Sequence, residues 1–172
     1  PAFATAPEQA EAYQRAFDDV SRTYELPIIL NTPTFTICAA TILDTGSEDQ
    51  KKQHISAVLR GDEVLVQLLS EPSGGSDLAG VITRADRVGD KWVINGAKTW
   101  STSAFAADYG LMLARTDWDV PKHEGLSMFA VPLQHERVTI EPIVPISGGP
   151  AHFFQEFFDD VVIGAENLIG DE

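Results

Sequence analysis

The hydrophobic positions of this 172-residue chain change their rhythm about one third of the way along. From Glu8 to Thr23, Ala10, Tyr13, Phe17 and Val20 recur at three- and four-residue spacing, which describes the apolar stripe of a helix that packs on something. A second helix is predicted over about 34–43, nearly apolar all round, and is expected to stop at Gly46 as a left-handed terminus. Ser47 opens a third helix through Arg60, with Gln50 three positions on as a capping box and Gly61 as terminator. After Gly61 the pattern turns to short runs rich in β-branched and aromatic residues. Residues 64–69, 81–88, 91–95, 97–101, 109–116, 126–132, 138–142 and 153–161 read as strands, with Gly89-Asp90 and Asn95-Gly96 as turns. Many short strands without intervening helices predict an antiparallel barrel or sandwich. The expected class is therefore α+β, with a helical segment over 1–62, a β-domain over 63–172 and an exposed loop over 117–125.

Composition narrows the partners. Twelve basic against 26 acidic residues give a net charge of −14, which repels nucleic acid and anionic lipid. A phosphate-bearing ligand must then be held by local donors: glycine turns, hydroxyls and backbone N–H groups. Cys38 is the only cysteine, which excludes an internal disulfide, and its neighbours Ile37, Ala39 and Ala40 make it a core thiol. No apolar segment reads as approaching the ~20 residues that span a bilayer, so no membrane is expected and a reducing cytoplasmic setting is. His54, His123, His135 and His152 form no metal-ligand spacing. Asp44-Thr45-Gly46 has the letters of an aspartic protease but runs straight into the capped helix, which explains it as a helix terminus.

Two segments carry candidate chemistry. QLLSEPSGGSD, Gln67 to Asp77, ends a hydrophobic run in a proline-bearing double-glycine turn, where Gly74 and Gly75 can reach positive φ and let N–H groups converge on an anion. KTWSTSA, with Trp100, Ser101 and Thr102, offers a flat aromatic wall beside polar donors. Together they suggest a large planar cofactor with a phosphate tail.

EPSGGSD followed by GDKWVINGAKTWST, LMLARTD and FFDDVVIGAENLIGDE resembles the middle β-domain of the acyl-CoA dehydrogenase family in order and spacing. The run GSEDQKKQHISAVLRGDEVLVQLLSEP is similar to the end of that family's N-terminal helical domain. The resemblance implies FAD as cofactor and α,β-desaturation of an acyl-CoA, with C2 proton removal and C3 hydride transfer to flavin N5. It also implies a C-terminal helical bundle absent from these residues, so that the chain is expected to be a fragment or a subunit portion, inactive alone, with no catalytic residue of its own. The glutamate base belongs to that bundle in common family members. By motif position, Gln67, Leu68, Leu69 and Ser70 lie along the pyrimidine edge of the flavin, and Gly75 and Ser76 near the FAD phosphates, Ser76 also meeting substrate. Trp100 packs on the flavin, Ser101 contributes backbone, and Thr102 serves N5. Glu71 matches a structural residue that ties the turn to neighbouring donors. Implied partners are acyl-CoA, an electron-transfer flavoprotein as acceptor, and a homo- or hetero-oligomer. A non-catalytic heteromeric subunit, or a flavin oxidase or monooxygenase on the same scaffold, are the alternatives.

Overall fold

A computed structural model of the chain describes residues 7–170; residues 1–6 and 171–172, the outer ends of the two expected segments, lie outside it. The first helix runs Pro7–Ser21. Its stripe, Tyr13, Phe17 and Val20, stays at least 61% exposed, so whatever it packs on is not among the described residues. The second helix spans Ile28–Thr45, six residues longer at its start than the pattern predicts, because Pro33 falls within its early turns instead of preceding them. Thr32–Ala39 winds as wider π-type turns. Thr32, Thr36, Thr41 and Thr45 each turn a hydroxyl onto the carbonyl four residues back, the local competition that loosens a helix.

With its true length, Ile28–Thr45 is apolar enough to cross a bilayer by length and composition alone, which corrects the shorter reading. One side of it is nevertheless a core face, where Cys38, Ala39 and Ile42 pack with Val58, Leu65, Leu111, Ala130 and Ile169. Burial pushes the Cys38 thiol up to about 12, as a core thiol requires. Gly46 is extended, not left-handed; it is small because a Cβ there would lie 2.6 Å from the Ile42 carbonyl oxygen. The third helix, 48–60, starts at the Ser47–Gln50 capping box and ends on left-handed Gly61, φ +76°.

Eight strands follow: β1 Leu65–Leu68, β2 Arg84–Val88, β3 Lys91–Thr102, β4 Tyr109–Arg115, β5 Leu126–Pro132, β6 Val138–Pro142, β7 Phe153–Gly164 and β8 Leu168–Ile169. They hydrogen-bond in the order β6-β7-β3-β2-β4-β5-β8, with β1 beside β4 in parallel and most other pairings antiparallel. The α+β class is as expected. Asn95-Gly96 is not a turn: β3 passes straight through it with a register shift. Gly96, at φ +150°, is required because a Cβ would sit 2.7 Å from the Thr83 Cα, while the Asn95 amide bridges across to Asp160. β2 begins at Arg84, after a short turn over Leu78–Gly80.

Side chains alternate between two cores. Val66, Leu68, Met112, Phe129 and Val131 join Trp92, Ile94, Phe154, Phe158 and Val161 on one face, while Leu65, Leu111 and Ala130 face the helices. Strands covered on both faces explain why 64–69 and 109–116 read as continuous apolar runs. The helix is tied to β1 by Thr34, whose hydroxyl donates to the Leu65 carbonyl at 2.9 Å and accepts from the Leu65 N–H at 3.1 Å. Thr34→Val keeps the shape and strands two buried backbone groups; urea unfolding should show a loss of roughly 1–3 kcal/mol, and an unchanged midpoint would mean that the tie is idle.

Candidate functional site

β1 leads into the turn that the sequence singles out, and the turn is built around Glu71. Its backbone exchanges hydrogen bonds with Gly74 in both directions at 3.0 Å, which closes the loop over Pro72 and Ser73. Its carboxylate turns inward, 3% exposed, where Oε2 accepts from the Ile82 N–H at 2.8 Å and Oε1 from the Thr83 N–H and Lys98 Nζ, both at 2.9 Å. Burial alone would raise this acid, but the bonds from Ile82, Lys98 and Thr83 and the Lys98 charge together hold it below the usual carboxylate range. Lys98 is fully buried; burial draws its ammonium below the ordinary lysine value, and the Glu71 carboxylate opposes that. Its Nζ also reaches the Leu69 carbonyl at 3.3 Å.

The same ties lay the two predicted segments side by side. The Thr99 N–H donates to the Ser70 carbonyl at 2.9 Å, so 67–70 and 99–102 run along each other. Gln67 and Thr102 line one cavity of about 520 Å3, whose other walls include Ile28, Ile29, Pro33 and Ile37 from the π-wound helix. A cavity of about 620 Å3 between the third helix and 162–170 contains none of the predicted residues. Between Thr99 and Ser101 the β3 register shifts, and Trp100 takes φ +66°, a left-handed conformation that a large side chain adopts only when its surroundings impose it. The bulge turns the indole outward, 58% exposed, edge-on to Phe153 at 6.0 Å.

Each predicted residue can now be placed. Gln67, Ser70 and Thr102 are half-buried at the shared edge, and Gly75 and Ser76 are exposed on the turn. No hydrogen bond within the described residues engages the side-chain polar groups of Gln67, Ser70, Ser76 or Thr102. Leu68 is fully buried in the sheet core, so only its backbone is open to a ligand; Leu69 is half-buried. Ser101 is buried too, its hydroxyl turned away from the edge. Neither Gly74 nor Gly75 has positive φ, which corrects the reason given for them. Gly75 is instead a matter of space, since a Cβ would lie 3.0 Å from Ser70 Oγ, whereas Gly74 faces open solvent. Free hydroxyls, an outward indole and an exposed double-glycine turn form a donor set that fits a flavin with a diphosphate.

Four further residues shape the edge and escape sequence reasoning. Lys98 reads as a surface strand lysine, yet it is the counter-ion of Glu71. Arg115, buried, holds the approach to β2 by donating to the Ala79 carbonyl at 2.6 Å and the Lys122 carbonyl at 2.8 Å. Lys122 in turn clasps Asp77 through both carboxylate oxygens, at 2.8 and 2.9 Å. Glu156 of β7, fully buried, accepts the Ser101 hydroxyl on Oε2 at 2.8 Å and has no partner for Oε1 among the described residues. Burial pushes this acid up to about 7, against the pull of the Ser101 bond. In HFFQEFF nothing local separates Glu156 from its polar neighbour Gln155.

Helices lead into a mostly antiparallel sheet, the α+β architecture of a small β-domain with a helical lead, and Gln67 and Thr102 meet at one cavity. The chain belongs to the acyl-CoA dehydrogenase family: residues 67–161 match the family's middle domain. It is 36% identical to the acyl-CoA dehydrogenase IpdE1 of Mycobacterium tuberculosis across 92% of this chain and 41% of that protein. Among solved structures, a steroid ACAD, Tcur3481-Tcur3483, superposes with TM-score 0.77 and 34% identity over 90% of this chain and 39% of that one. The ChsE4-ChsE5 complex of Mycobacterium tuberculosis gives 0.75 and 30% over 92% and 40%. The chain thus spans about two fifths of the length of these relatives.

Lys98→Met should cost on the order of 3–5 kcal/mol in a denaturant titration, because Glu71 is left buried without its counter-ion; a loss below 1 kcal/mol would show that the N–H donors suffice. Glu156 makes a different prediction. An acid raised from 4.5 to about 7 keeps its proton longer folded than unfolded. Stability therefore falls as pH climbs through that window, by on the order of 3 kcal/mol, and is flat above it. Glu156→Gln should remove this slope and unfold at higher temperature than the wild type at pH 8, and identical pH profiles would refute the assignment.

Proposed function

We propose that this chain forms the flavin-facing and thioester-facing part of an FAD-dependent acyl-CoA dehydrogenase that desaturates an acyl-CoA between C2 and C3. The observation that carries the reading is the single cavity shared by Gln67 and Thr102, two residues from separate motifs, beside an indole held outward by a strained bulge. FAD held here supplies the hydride acceptor for C3. The Gln67–Ser70 backbone and the Ser70 hydroxyl would donate to the pyrimidine edge of the ring, where negative charge develops on reduction. Thr102 would donate at the hydride-accepting edge, Trp100 would exclude water from one face, and Gly75 with Ser76 would meet the diphosphate and the thioester. As the family resemblance implies, the C2 proton would go to a base outside these residues; Glu71, committed to three donors, and Glu156, in the core, are not placed to take it.

The wall of Ile28, Ile29, Pro33 and Ile37 suits a hydrophobic acyl group. A ring-bearing acyl group, as the name of the steroid ACAD suggests for that protein, is one candidate. Electrons would pass on to an electron-transfer flavoprotein. A second reading, a heteromeric subunit, is favoured by the exposed stripe of Tyr13, Phe17 and Val20 and by the paired subunits in the names of both structural relatives.

Anaerobic titration of the full gene product with a panel of acyl-CoAs tests the reading. The expected result is bleaching of bound flavin, without peroxide on readmission of air. Thr102→Val and Trp100→Ala should each weaken flavin retention or slow bleaching about tenfold, as the loss of one donor or one stacked ring does. Unchanged flavin content and rate in both variants would reject the placement, and peroxide release would point to an oxidase.

A further inference from the structure

We propose that Glu156 is a positioning residue of the flavin-facing edge: through the Ser101 hydroxyl its carboxyl pins the Trp100 bulge and so sets where the indole and the Thr102 hydroxyl stand. The inference rests on the reading of that edge given above. Trp100 and Ser103 are both left-handed, at φ +66° and +60°, so the four residues from 100 to 103 depart from strand geometry at two points. Such backbone persists only when its surroundings over-determine it. At the far side, the Ser103 N–H is held by the His152 carbonyl at 2.9 Å. At the centre, the side-chain anchor is Ser101 Oγ on Glu156 Oε2, 2.8 Å, between two side chains that are at most 2% exposed.

A carboxyl is an expensive choice for that anchor. Leu or Phe at 156 would fill the core without desolvating an acid, and among the described residues Oε1 has no hydrogen-bond partner. Its register partners are Lys98 on β3 and Ile140 on β6, and the Lys98 ammonium is turned to Glu71, not to Glu156. Among the described residues the carboxyl's side-chain bond goes to Ser101, the residue between the outward indole and Thr102. The raised affinity of Glu156 for its proton agrees with a group kept for position at the expense of solvation.

The test compares wild type, Ser101→Ala, Glu156→Gln, Glu156→Leu and the Ser101→Ala/Glu156→Leu double variant in the full gene product reconstituted with FAD. The readouts are FAD affinity, the position of the visible flavin band, and the indole N–H resonance of Trp100 without FAD. Loss of one hydrogen bond predicts roughly two- to tenfold weaker FAD binding, with a shifted band and a moved Trp100 resonance, in Ser101→Ala and Glu156→Leu alike. The double variant should be no worse than either single one, and Glu156→Gln, which keeps an acceptor oxygen, should resemble wild type. Ser101→Ala with wild-type affinity, band and resonance overturns the proposal, as does Glu156→Gln losing as much as Ser101→Ala. If Glu156→Leu does not fold, those two variants decide. A wild type that takes up no FAD would instead overturn the reading of the site, and the Trp100 resonance would still decide the clamp.

Discussion

The Glu71–Lys98 pair is the constraint on which the site depends. A carboxylate and an ammonium, both nearly solvent-free at 2.9 Å, hold only while every other donor and acceptor around them is in place. Those others come from separate parts of the chain: the Ile82 and Thr83 amides on the approach to β2, and the Leu69 carbonyl just past β1. The pair adds little net stability over a well-packed apolar substitute. Its effect is on register. The end of β1, the start of β2 and the middle of β3 must arrive together, and once they do, Ser70 lies against Thr99 and the two motifs form one edge.

β3 then departs twice from regular pairing with β7. At Gly96 the irregularity makes room, because Thr83 occupies the place of a Cβ. At Trp100 it re-aims a side chain that a regular strand at this position would direct elsewhere. One strand thus carries the packing against the Glu71 cluster through Lys98 and, two residues past the Trp100 bulge, one wall of the cavity through Thr102. The π-wound helix faces this wall across the cavity, with its threonine hydroxyls spent on its own carbonyls and its isoleucines left to line the space.

How much of this was legible in the sequence followed the range of the interaction. The Ser47–Gln50 cap, the Gly61 terminator and strands such as 126–132 and 138–142 are set by neighbours within a few residues, and they stand where the pattern put them. Gly46 and Asn95-Gly96 misled because glycine answers to space as well as to φ, and the space is decided by Ile42 and by the distant Thr83. The second helix runs longer than its pattern predicts because its early turns, around Pro33, wind wide and follow no simple 3.6-residue pattern. The two hydroxyl-bearing motifs could be named from family resemblance, and the fold brings them to one cavity. The bonds that hold them there, Lys98 to Glu71 across 27 positions and Ser101 to Glu156 across 55, leave no local trace.

Charge explains why the edge is made of hydroxyls and amides. With a net charge of −14, the chain has few cations to offer a diphosphate, and those nearest the turn are already committed. Lys98 is sealed against Glu71, Lys122 clasps Asp77, and Arg115 spends its guanidinium on the carbonyls of Ala79 and Lys122. They rigidify the turn; a phosphate would meet Ser76 and backbone N–H groups around Gly75. Neutral donors on a fixed frame recognise by direction, and each contributes only about 1 kcal/mol, so retention of a ligand as large as FAD requires many of them at once. On the proposed reading the strain at Trp100 follows the same logic: with no strong charge to capture a ligand, an edge that binds one must already stand in its binding geometry.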